Sequence, residues 1–554
     1  MQEIEFNLLT EPWVRVRLPD NAVQEVSLTD ALVHAQEYMD LAGEMPTQDA
    51  AMLRLLLAVL FTVFSRVNEV GEPLEDEEAA LERWGALWEL KHFPEQPIRD
   101  YLEQWKDRFW LFHPERPFWQ VPEAKIGSPF KGGKLNGEVF ESENKNNMFA
   151  SYAGVEKNAL TYAQAARWLV FLNNYDDAAA KKKAKDRPSM SPGWLGQLGL
   201  VYVKGVNLFE TLMRNLMFLN DRAELWEKGR PNWELEEPRS EERTEIVCPG
   251  NYAELLTMQC RRIWLERENE KVVRYTLLGG DFFDKKNAFA EPMTLWGLRK
   301  QTKESPECYL PQKHDMEKML WREFSSIIDD GKHIPGVVQW NGYLQRCGFL
   351  KKKEILQICA VGVEYGAQSA SMKGVYAVQN EYDYFTAVDD CPDSDNAGAG
   401  HLDTVEYNSA TLYRYATVNV MELERHLGAE KAAEVVRSFG EAFIRSMPTG
   451  KQNTFANRTL PDAVYVTIRE DQPVNLCGAF ERAVRKSAEG YAEPSKSALQ
   501  AYAQQLYQSF AEAPAESFTV GTGLEALAPA QPLNTMLDAL EEAVKENLTG
   551  NEVE

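Results

Sequence analysis

The sequence has few cysteines and histidines, and it lacks the spacings in which these residues bind metals. Seven cysteines occur among 554 residues, none of them in a CxxC pair, and the odd number argues against a disulfide framework. The seven histidines are scattered and form no HExxH. We therefore predict no metal, no cofactor and a reducing compartment, the cytoplasm.

Signatures of enzyme chemistry are also missing. The sequence contains neither GxxxxGK[ST] nor GxSxG, which excludes a standard phosphate-binding loop and a nucleophile elbow. Acidic pairs such as Asp389-Asp390 are expected by chance in a chain with 85 acidic residues, and we interpret them as solvated. The chain is predicted not to be an enzyme, and an autonomous nuclease is the least favoured alternative.

Long apolar runs are absent as well. A membrane-spanning helix needs about 18 consecutive apolar residues, and the densest stretch here, residues 52–64, is shorter and contains Arg54. We interpret it as a buried helix with Thr47 as its N-cap. The acidic N-terminus lacks the basic start of a signal peptide, so no membrane partner is expected.

The net charge of −25 alone argues against nucleic-acid binding, which usually uses a basic surface. A few basic loops on an acidic protein can nevertheless contact phosphates. Three local clusters meet this description: residues 181–187 (KKKAKDR), Arg261-Arg262 and residues 351–353 (KKK). Solvated loops are the alternative interpretation for each cluster.

Hydrophobic periodicity predicts a mixed α/β protein of two parts. Helices are expected at residues 47–67, 77–91, 162–172, 208–219 and 429–446, with Trp84 and Trp88 packed in the core. Two apolar runs, 355–363 and 372–378, flank a predicted tight turn at 365–369. The pattern changes near residue 378, so we predict domains at 1–377 and 378–554.

Several segments resemble one family. FNLLTEPWVRV at 6–16, HPERPFWQV at 113–121, PGWLGQLGLVYVKG at 192–205 and LLTMQCRRIWL at 255–265 look like parts of the CasA family, the large subunit of the type I-E CRISPR surveillance complex Cascade. The resemblance covers about residues 1–375. It implies a non-enzymatic subunit that recognises the protospacer-adjacent motif (PAM) in double-stranded DNA, opens the duplex for guide RNA pairing and recruits a helicase-nuclease.

The same resemblance implies DNA-contacting positions. Phe149 takes the place of a key aromatic in a flexible loop at 146–158, Lys285 or Lys286 that of a minor-groove lysine, and Gln368 that of a wedge at a hairpin tip. The family's glycine-rich minor-groove loop falls at 178–193. There this chain departs from the family, because it offers instead Lys181, Lys182, Lys183, Lys185, Arg187, Ser189 and Ser191.

The C-terminal part resembles a second family. EYDYFTAVDD at 381–390, VEYNSATLYRYATVNV at 405–420, PTGKQNTFANRTLPD at 448–462 and NLCGAFERAV at 475–484 look like the second half of CasC, the backbone subunit that coats the guide RNA. This implies a partial RNA-recognition-like module with a thumb hairpin at 389–405. Its predicted RNA-contacting loop is Thr449, Gly450, Lys451, Gln452 and Asn453.

The combined expectation is a two-part Cascade protein. Its partners would be guide RNA, double-stranded target DNA, the backbone, small and guide-processing subunits, and the helicase-nuclease. A scaffold-like fusion that anchors the complex without reading DNA is the alternative. Loss of duplex binding on mutation of the basic loop would separate the two.

Overall fold

A computed structural model describes seventeen stretches of the chain. They are residues 4–74, 79–135, 158–177, 191–220, 224–237, 246–301, 306–314, 333–351, 354–365, 375–385, 407–408, 416–446, 465–469, 497–499, 501–502, 517–521 and 533–550. Within them the chain forms two compact units, Met1–Asn408 and Ser409–Glu554. The mixed α/β class is confirmed.

Unit 1 is a mixture of strands and helices. Its described strands are β1 (Glu5–Asn7), β2 (Val14–Arg17), β3 (Val23–Val26), β4 (Asp40–Leu41), β5 (Trp110–Phe112), β6 (Ser128–Lys131), β7 (Leu200–Lys204), β8 (Ile246–Val247), β9 (Arg261–Glu268), β10 (Lys271–Gly279), β11 (Phe283–Asp284), β12 (Trp296–Arg299), β13 (Cys308–Pro311), β14 (Ile355–Tyr365), β15 (Val375–Phe385) and β16 (Tyr407–Asn408). Its described helices are α1 (Leu28–Val33), α2 (Pro46–Phe64), α3 (Ala80–Leu90), α4 (Glu95–Gln104), α5 (Gly132–Leu135), α6 (Tyr162–Tyr175), α7 (Leu208–Asn215), α8 (Tyr252–Leu256) and α9 (Gly336–Arg346).

Helix α2 is the central element of unit 1. It is apolar on all sides, as expected for a helix enclosed by a core, and it packs against α6, α8, β14 and β15. Its length and composition would suit a membrane span, yet 94% of that stretch is buried in the protein. The predicted N-cap is wrong: Thr47 lies inside the helix, which begins at Pro46, where the missing N–H costs nothing.

The tryptophans predicted to pack in the core do so. Trp84 and Trp88 lie one turn apart on α3, and their rings stack with centroids 5.2 Å apart. The indole N–H of Trp84 donates to the carbonyl of Met213 on α7 at 2.9 Å. The pair therefore joins α3 to the rest of the core, and it is not an exposed binding surface.

Two sheets position the residues of interest. The first has the order β6-β10-β9, all antiparallel. The second has the order β16-β15-β14-β7, and β14 pairs with β15 from Ile355↔Phe385 to Tyr365↔Val375. The strand pairing predicted for the hairpin is therefore present. Its connection, residues 366–374 with Gln368, lies outside the described residues.

The boundary between the compact units differs from the predicted change at 378. Position 378 lies in the middle of β15, where Val378 pairs with Gly362 of β14. Because β15 is a strand of the second sheet, the chain divides compactly only after Asn408. The boundary between the two sequence resemblances stays a prediction.

Unit 2 is described mainly through three helices and one strand pair. Helix α10 spans Val420–Leu427, α11 spans Ala429–Arg445 and α12 spans Leu533–Gly550, while β17 (Tyr465–Arg469) pairs with β18 (Ser517–Gly521). The predicted helix at 429–446 is thus confirmed. Its buried face carries Ala432, Ala433 and Val436 and packs against α12, and Arg437 forms an ion pair with Asp538 at 2.8 Å.

Candidate nucleic-acid interface

The end of helix α6 is the point from which the candidate site is built. A capping box between Thr161 and Gln164 starts this helix, and the amide of Asn173 ties its last turn to strand β9. Asn173 Oδ1 accepts from the N–H of Arg261 at 3.1 Å. The helix therefore holds Asp176 and Asp177 at a fixed position beside the start of β9. These two residues precede the lysine-rich segment.

The chain returns from the lysine-rich segment to the same place. Ser191 and Gly193 lie beside the end of α6, and the N–H of Gly193 donates to the carbonyl of Asp176 at 2.9 Å. A Cβ on Gly193 would collide with the backbone of Asn174, so only glycine permits this approach. The two chain ends that flank residues 178–190 are thus held together.

Arg261 fills the space between these chain ends. Its Nε donates to Asp176 Oδ2 at 2.5 Å, and its Nη2 donates to the carbonyls of Ser191 at 2.8 Å and Asp177 at 3.0 Å. Burial lowers the pKa of Arg261, but the charge and hydrogen bond of Asp176, together with Cys260 and Tyr365, raise it above its usual value, so the guanidinium remains charged. The interpretation of Arg261 as part of an exposed basic cluster is wrong, because its side chain is 4% exposed.

The base of the β14–β15 hairpin reaches the same location. The hydroxyl of Tyr365, the last residue of β14, donates to the carbonyl of Tyr175 at the end of α6 at 2.6 Å. Gly196 lies against this hydroxyl, where a Cβ would collide with it. The chain therefore leaves toward Gln368 next to the place where it leaves toward Lys181.

The turn that carries Lys285 and Lys286 is the third segment at this location. Both lysines are exposed, and the N–H of Lys286 donates to Asp284 Oδ1 at 3.0 Å. Phe283, just before them, packs on Trp194 with ring centroids 5.3 Å apart. Trp194 belongs to the segment that follows Ser191, so the turn and the lysine-rich segment share one support.

Trp194 is itself fixed by buried polar contacts. Its indole N–H donates to Glu291 at 2.7 Å, and its backbone N–H donates to the sulfur of Cys260 at 3.3 Å. Glu291 also binds both terminal nitrogens of Arg54 at 2.8 and 2.9 Å. Burial raises the pKa of Cys260 to about 12, so the thiol stays protonated and serves packing.

One exposed cation at this location was missed in the sequence. Lys313 follows β13 as a single lysine, and its ammonium lies 4.8 Å from the ring centroid of Tyr365. No local basic run marks it. Its position at the base of the hairpin follows from tertiary contacts of its neighbours: Gln312 packs against Gly199, and the ring of His314 bonds to the carbonyl of Leu200 on β7.

The residues that flank the Phe149 segment lie away from this point. That segment leaves after Leu135 and returns at Asn158, whose side chain accepts from the N–H of Gly133 at 3.0 Å. These residues lie at the opposite end of α6, which at 1.5 Å per residue is about 20 Å long.

Most of the predicted side chains lie outside the described residues. These are Phe149, Lys181, Lys182, Lys183, Lys185, Arg187, Ser189, Gln368, Thr449, Gly450, Lys451, Gln452 and Asn453. Ser191, Lys285 and Lys286 are described. Within the described ranges, no group of three or more His, Cys, Asp or Glu side chains could hold a metal ion.

Two family models match the chain, and the first supports the resemblance to the CasA family over most of its length. The family model described as CRISPR-associated protein Cse1 matches residues 7–417, and the model described as CT1975-like protein matches residues 360–546. A CRISPR-associated protein CasA/Cse1 from Thermus thermophilus is 30% identical over 333 residues, which cover 58% of this chain and 60% of that relative. The alignment therefore spans less than two thirds of the relative.

Solved structures agree in fold. Cse1 from Thermobifida fusca has a TM-score of 0.56 at 22% identity, covering 99% of this chain and 92% of that one. Cse1 from Acidimicrobium ferrooxidans has a TM-score of 0.55 at 23% identity, with coverage of 99% and 93%. A chain of a CRISPR RNA-guided surveillance complex has a TM-score of 0.54 at 17% identity, with coverage of 99% and 100%. The Cse1 family model matches well over half of the length of this chain. The chain therefore belongs to the CRISPR-associated Cse1 family.

Proposed function

We propose that the chain is a non-enzymatic subunit of an RNA-guided CRISPR surveillance complex. It recognises the PAM in double-stranded target DNA, helps to open the duplex for guide RNA pairing, and recruits the helicase-nuclease. The observation that carries this proposal is the convergence at the end of α6. Three segments predicted from sequence to contact DNA, far apart along the chain, start from neighbouring residues there.

The chemistry of these segments suits the minor groove. That groove offers a degenerate pattern of acceptors, so a protein reads it with long polar side chains, backbone donors and wedges, without a recognition helix. Lys285 and Lys286 extend from a short turn, and Ser191 stands at the edge of the lysine-rich segment. A rigid hairpin beside them can separate two bases while the lysines hold the phosphates.

The local charge is compatible with this role despite the acidic total. The described cations Arg54, Arg167 and Arg261 are each buried and bonded to carboxylates, so they contribute to the fold. Lys285 and Lys286 are exposed instead, and their ammonium groups can reach phosphates. An acidic remainder of the surface limits binding elsewhere and favours contact through this one face.

The C-terminal part is proposed to contact the guide RNA or the backbone subunits, as the resemblance to CasC suggests. The CT1975-like match over 360–546 supports a second family origin for this part. Reversal of Lys451 to Glu is expected to weaken binding of guide RNA by the assembled complex while leaving duplex DNA binding by the full chain unchanged. An anchoring scaffold without contact to nucleic acid is the alternative, and it predicts that neither changes.

The partners proposed for the chain are guide RNA, target DNA, the backbone, small and guide-processing subunits of Cascade, and the helicase-nuclease, in the cytoplasm. The decisive test is a salt titration of duplex DNA binding by the full chain. Reversing Lys181, Lys182, Lys183, Lys185 and Arg187 to Glu should weaken binding to all sequences alike. It should also flatten the slope of log affinity against log salt, by up to about 0.9 for each phosphate that the protein no longer neutralises.

A matched control separates this effect from a general change in charge. Lys228 and Arg230 are exposed in unit 1 and lie outside the predicted DNA segments. Their reversal to Glu should leave the slope unchanged. If reversal of the lysine-rich segment also leaves the slope unchanged, the segment is a solvated surface and the proposed DNA contact is wrong.

A further inference from the structure

Arg261 bonds to both chain ends that flank residues 178–190. It reaches Asp176 and Asp177 on one side and Ser191 on the other, through contacts of 2.5, 3.0 and 2.8 Å. Its side chain is 4% exposed and that of Asp176 is 1% exposed. Such a residue cannot contact DNA itself, so any effect it has on DNA must act through the segments it holds.

A second contact connects the same place to the β14–β15 hairpin. Tyr365 donates to the carbonyl of Tyr175, one residue before Asp176, at 2.6 Å. Burial raises the pKa of the Tyr365 phenol well above its usual value, so the hydroxyl remains a donor. The end of α6 is thus bonded to β9 through Arg261 and to β14 through Tyr365.

We propose that Arg261 is a positioning residue for duplex opening: its guanidinium sets the separation of Asp177 and Ser191 and places both beside the hairpin base at Tyr365. This inference rests on the proposed function. It adds that the phosphate-binding segment and the hairpin must be held at fixed positions relative to each other. They can then act on neighbouring nucleotides of one duplex.

The shape of the guanidinium explains why arginine stands here. A planar fork with several donors can serve a carboxylate and two carbonyls at once, whereas a lysine ammonium is a point charge with three donors and no fixed plane. Because the two chain ends are already held together before DNA binds, less conformational entropy is lost on binding. Loss of the fork should therefore reduce affinity while the same phosphates remain neutralised.

The test uses the full chain with Arg261→Lys, Tyr365→Phe and the control Arg262→Lys. Arg262 is the neighbouring, partly exposed residue, and its Nε donates to the carbonyl of Gly279 at the end of β10, at 2.7 Å. Thermal unfolding is followed for each variant, because Arg261→Lys perturbs a buried ion pair. Tyr365→Phe removes one hydroxyl only, and it carries the test if Arg261→Lys does not fold.

The expected result has a signature that simple loss of stability does not produce. Arg261→Lys should bind duplex DNA about tenfold more weakly, with the salt slope unchanged. Tyr365→Phe should slow the fluorescence rise of a base analogue beside the PAM on duplex targets, and it should leave pre-melted targets unaffected. Arg262→Lys should match the unmodified protein in both assays.

The outcomes distinguish this inference from the proposed function. If reversal of the lysine-rich segment flattens the salt slope but Arg261→Lys and Tyr365→Phe behave like the unmodified protein, the positioning role is overturned and DNA contact stands. If that reversal has no effect on the slope, the proposed function itself fails. Arg261→Lys could also bind more weakly with a salt slope flattened as much as in the reversal of the lysine-rich segment. That result would overturn the positioning role too, because the variant would then neutralise fewer phosphates.

Discussion

The two terminal nitrogens of Arg54, in the middle of the most buried helix, lie 2.8 and 2.9 Å from the two carboxylate oxygens of Glu291. Both side chains are almost wholly enclosed, at 1% and 0% exposure. Burial lowers the pKa of Arg54, but the charge and hydrogen bond of Glu291, together with Tyr252 and Tyr175, raise it above its usual value. The pair also supports Trp194, so the core of unit 1 is bonded directly to the support of the candidate interface.

Removing one member of this pair should destabilise unit 1 strongly. Arg54→Met leaves Glu291 as an unpaired buried charge, which costs about 3–5 kcal/mol in the free energy of unfolding. Arg54→Met with Glu291→Gln should recover most of that loss, because the remaining side chain is neutral and can still accept from Trp194. All 14 tryptophans precede residue 408, so tryptophan fluorescence during urea unfolding reports on unit 1.

The exposed pair of Arg99 and Glu95 provides the control for that measurement. Arg99→Ala should change the free energy of unfolding by no more than about 1 kcal/mol, as exposed ion pairs usually do. A loss in Arg54→Met no larger than the loss in Arg99→Ala would show that the buried pair contributes little to stability.

Gln368→Ala should separate DNA binding from DNA opening. Removing the side chain at the predicted hairpin tip takes away the wedge and no phosphate contact. Initial binding to the duplex should persist while strand opening slows, since the protein no longer shares the cost of unstacking. The measurement is the fluorescence of a base analogue beside the PAM, on linear and on pre-melted targets. Equal rates on both targets in the variant would remove the wedge role.

Lys285 and Lys286 should contribute to DNA affinity through phosphate or minor-groove contacts. Reversing both to Glu is expected to weaken duplex binding and to reduce the salt slope by about 0.9 for each phosphate that these lysines neutralise. Lys228 and Arg230 are the matched control pair, because both are exposed in unit 1 and lie outside the predicted DNA segments. An identical salt slope for the reversal of Lys285 and Lys286 and for the reversal of the control pair would contradict the assignment of this turn.

Unit 1 should lose stability as the pH falls through the range in which histidines titrate. Burial lowers the pKa of His314 below its usual 6.5, and its Nε2 lies 2.9 Å from the carbonyl of Leu200. The unfolded chain therefore takes up a proton that the folded chain does not. The contribution of His314 to the free energy of unfolding should be fully present above about pH 6.5 and should decrease below it.

Urea unfolding followed by tryptophan fluorescence, at about pH 7.5 and about pH 5.5, tests this direction. His314→Gln should show a smaller difference between the two conditions, and His426→Gln, which changes an exposed residue of unit 2, should not. If His314→Gln keeps the full pH dependence, other groups are responsible for it.

The sequence predicted well those features that depend on local pattern. The all-round apolar character of 52–64 indicated a buried helix, and the tryptophan spacing at 84 and 88 indicated core packing. Two apolar runs indicated the β14–β15 pairing. Each of these follows from side-chain periodicity over a single element, which is visible in the order of the residues.

Features that depend on distant partners were not predicted. Arg261 was interpreted as an exposed cation because Arg262 follows it, whereas its partner Asp176 lies 85 residues earlier. Lys313 carried no local signal at all. The convergence at the end of α6 arises from tertiary contacts of Tyr365 with Tyr175 and of Trp194 with Phe283, and no periodicity reports such contacts. The predicted positions came from family resemblance, and only the structure relates them to one another.

The placement of β15 has a consequence for anyone who shortens this protein. Eleven cross-strand pairs bind β15 to β14, so ending the chain at residue 377 would remove most of β15 and leave one edge of β14 largely without backbone partners, while its other edge stays paired with β7. An uncovered strand of that length is a template for edge-to-edge aggregation. A shortened protein that ends after Asn408 keeps the pairing intact. The practical unit for expression and crystallisation is therefore defined by a hydrogen-bonded strand, and the point where the sequence changes character near residue 378 is the wrong place to cut.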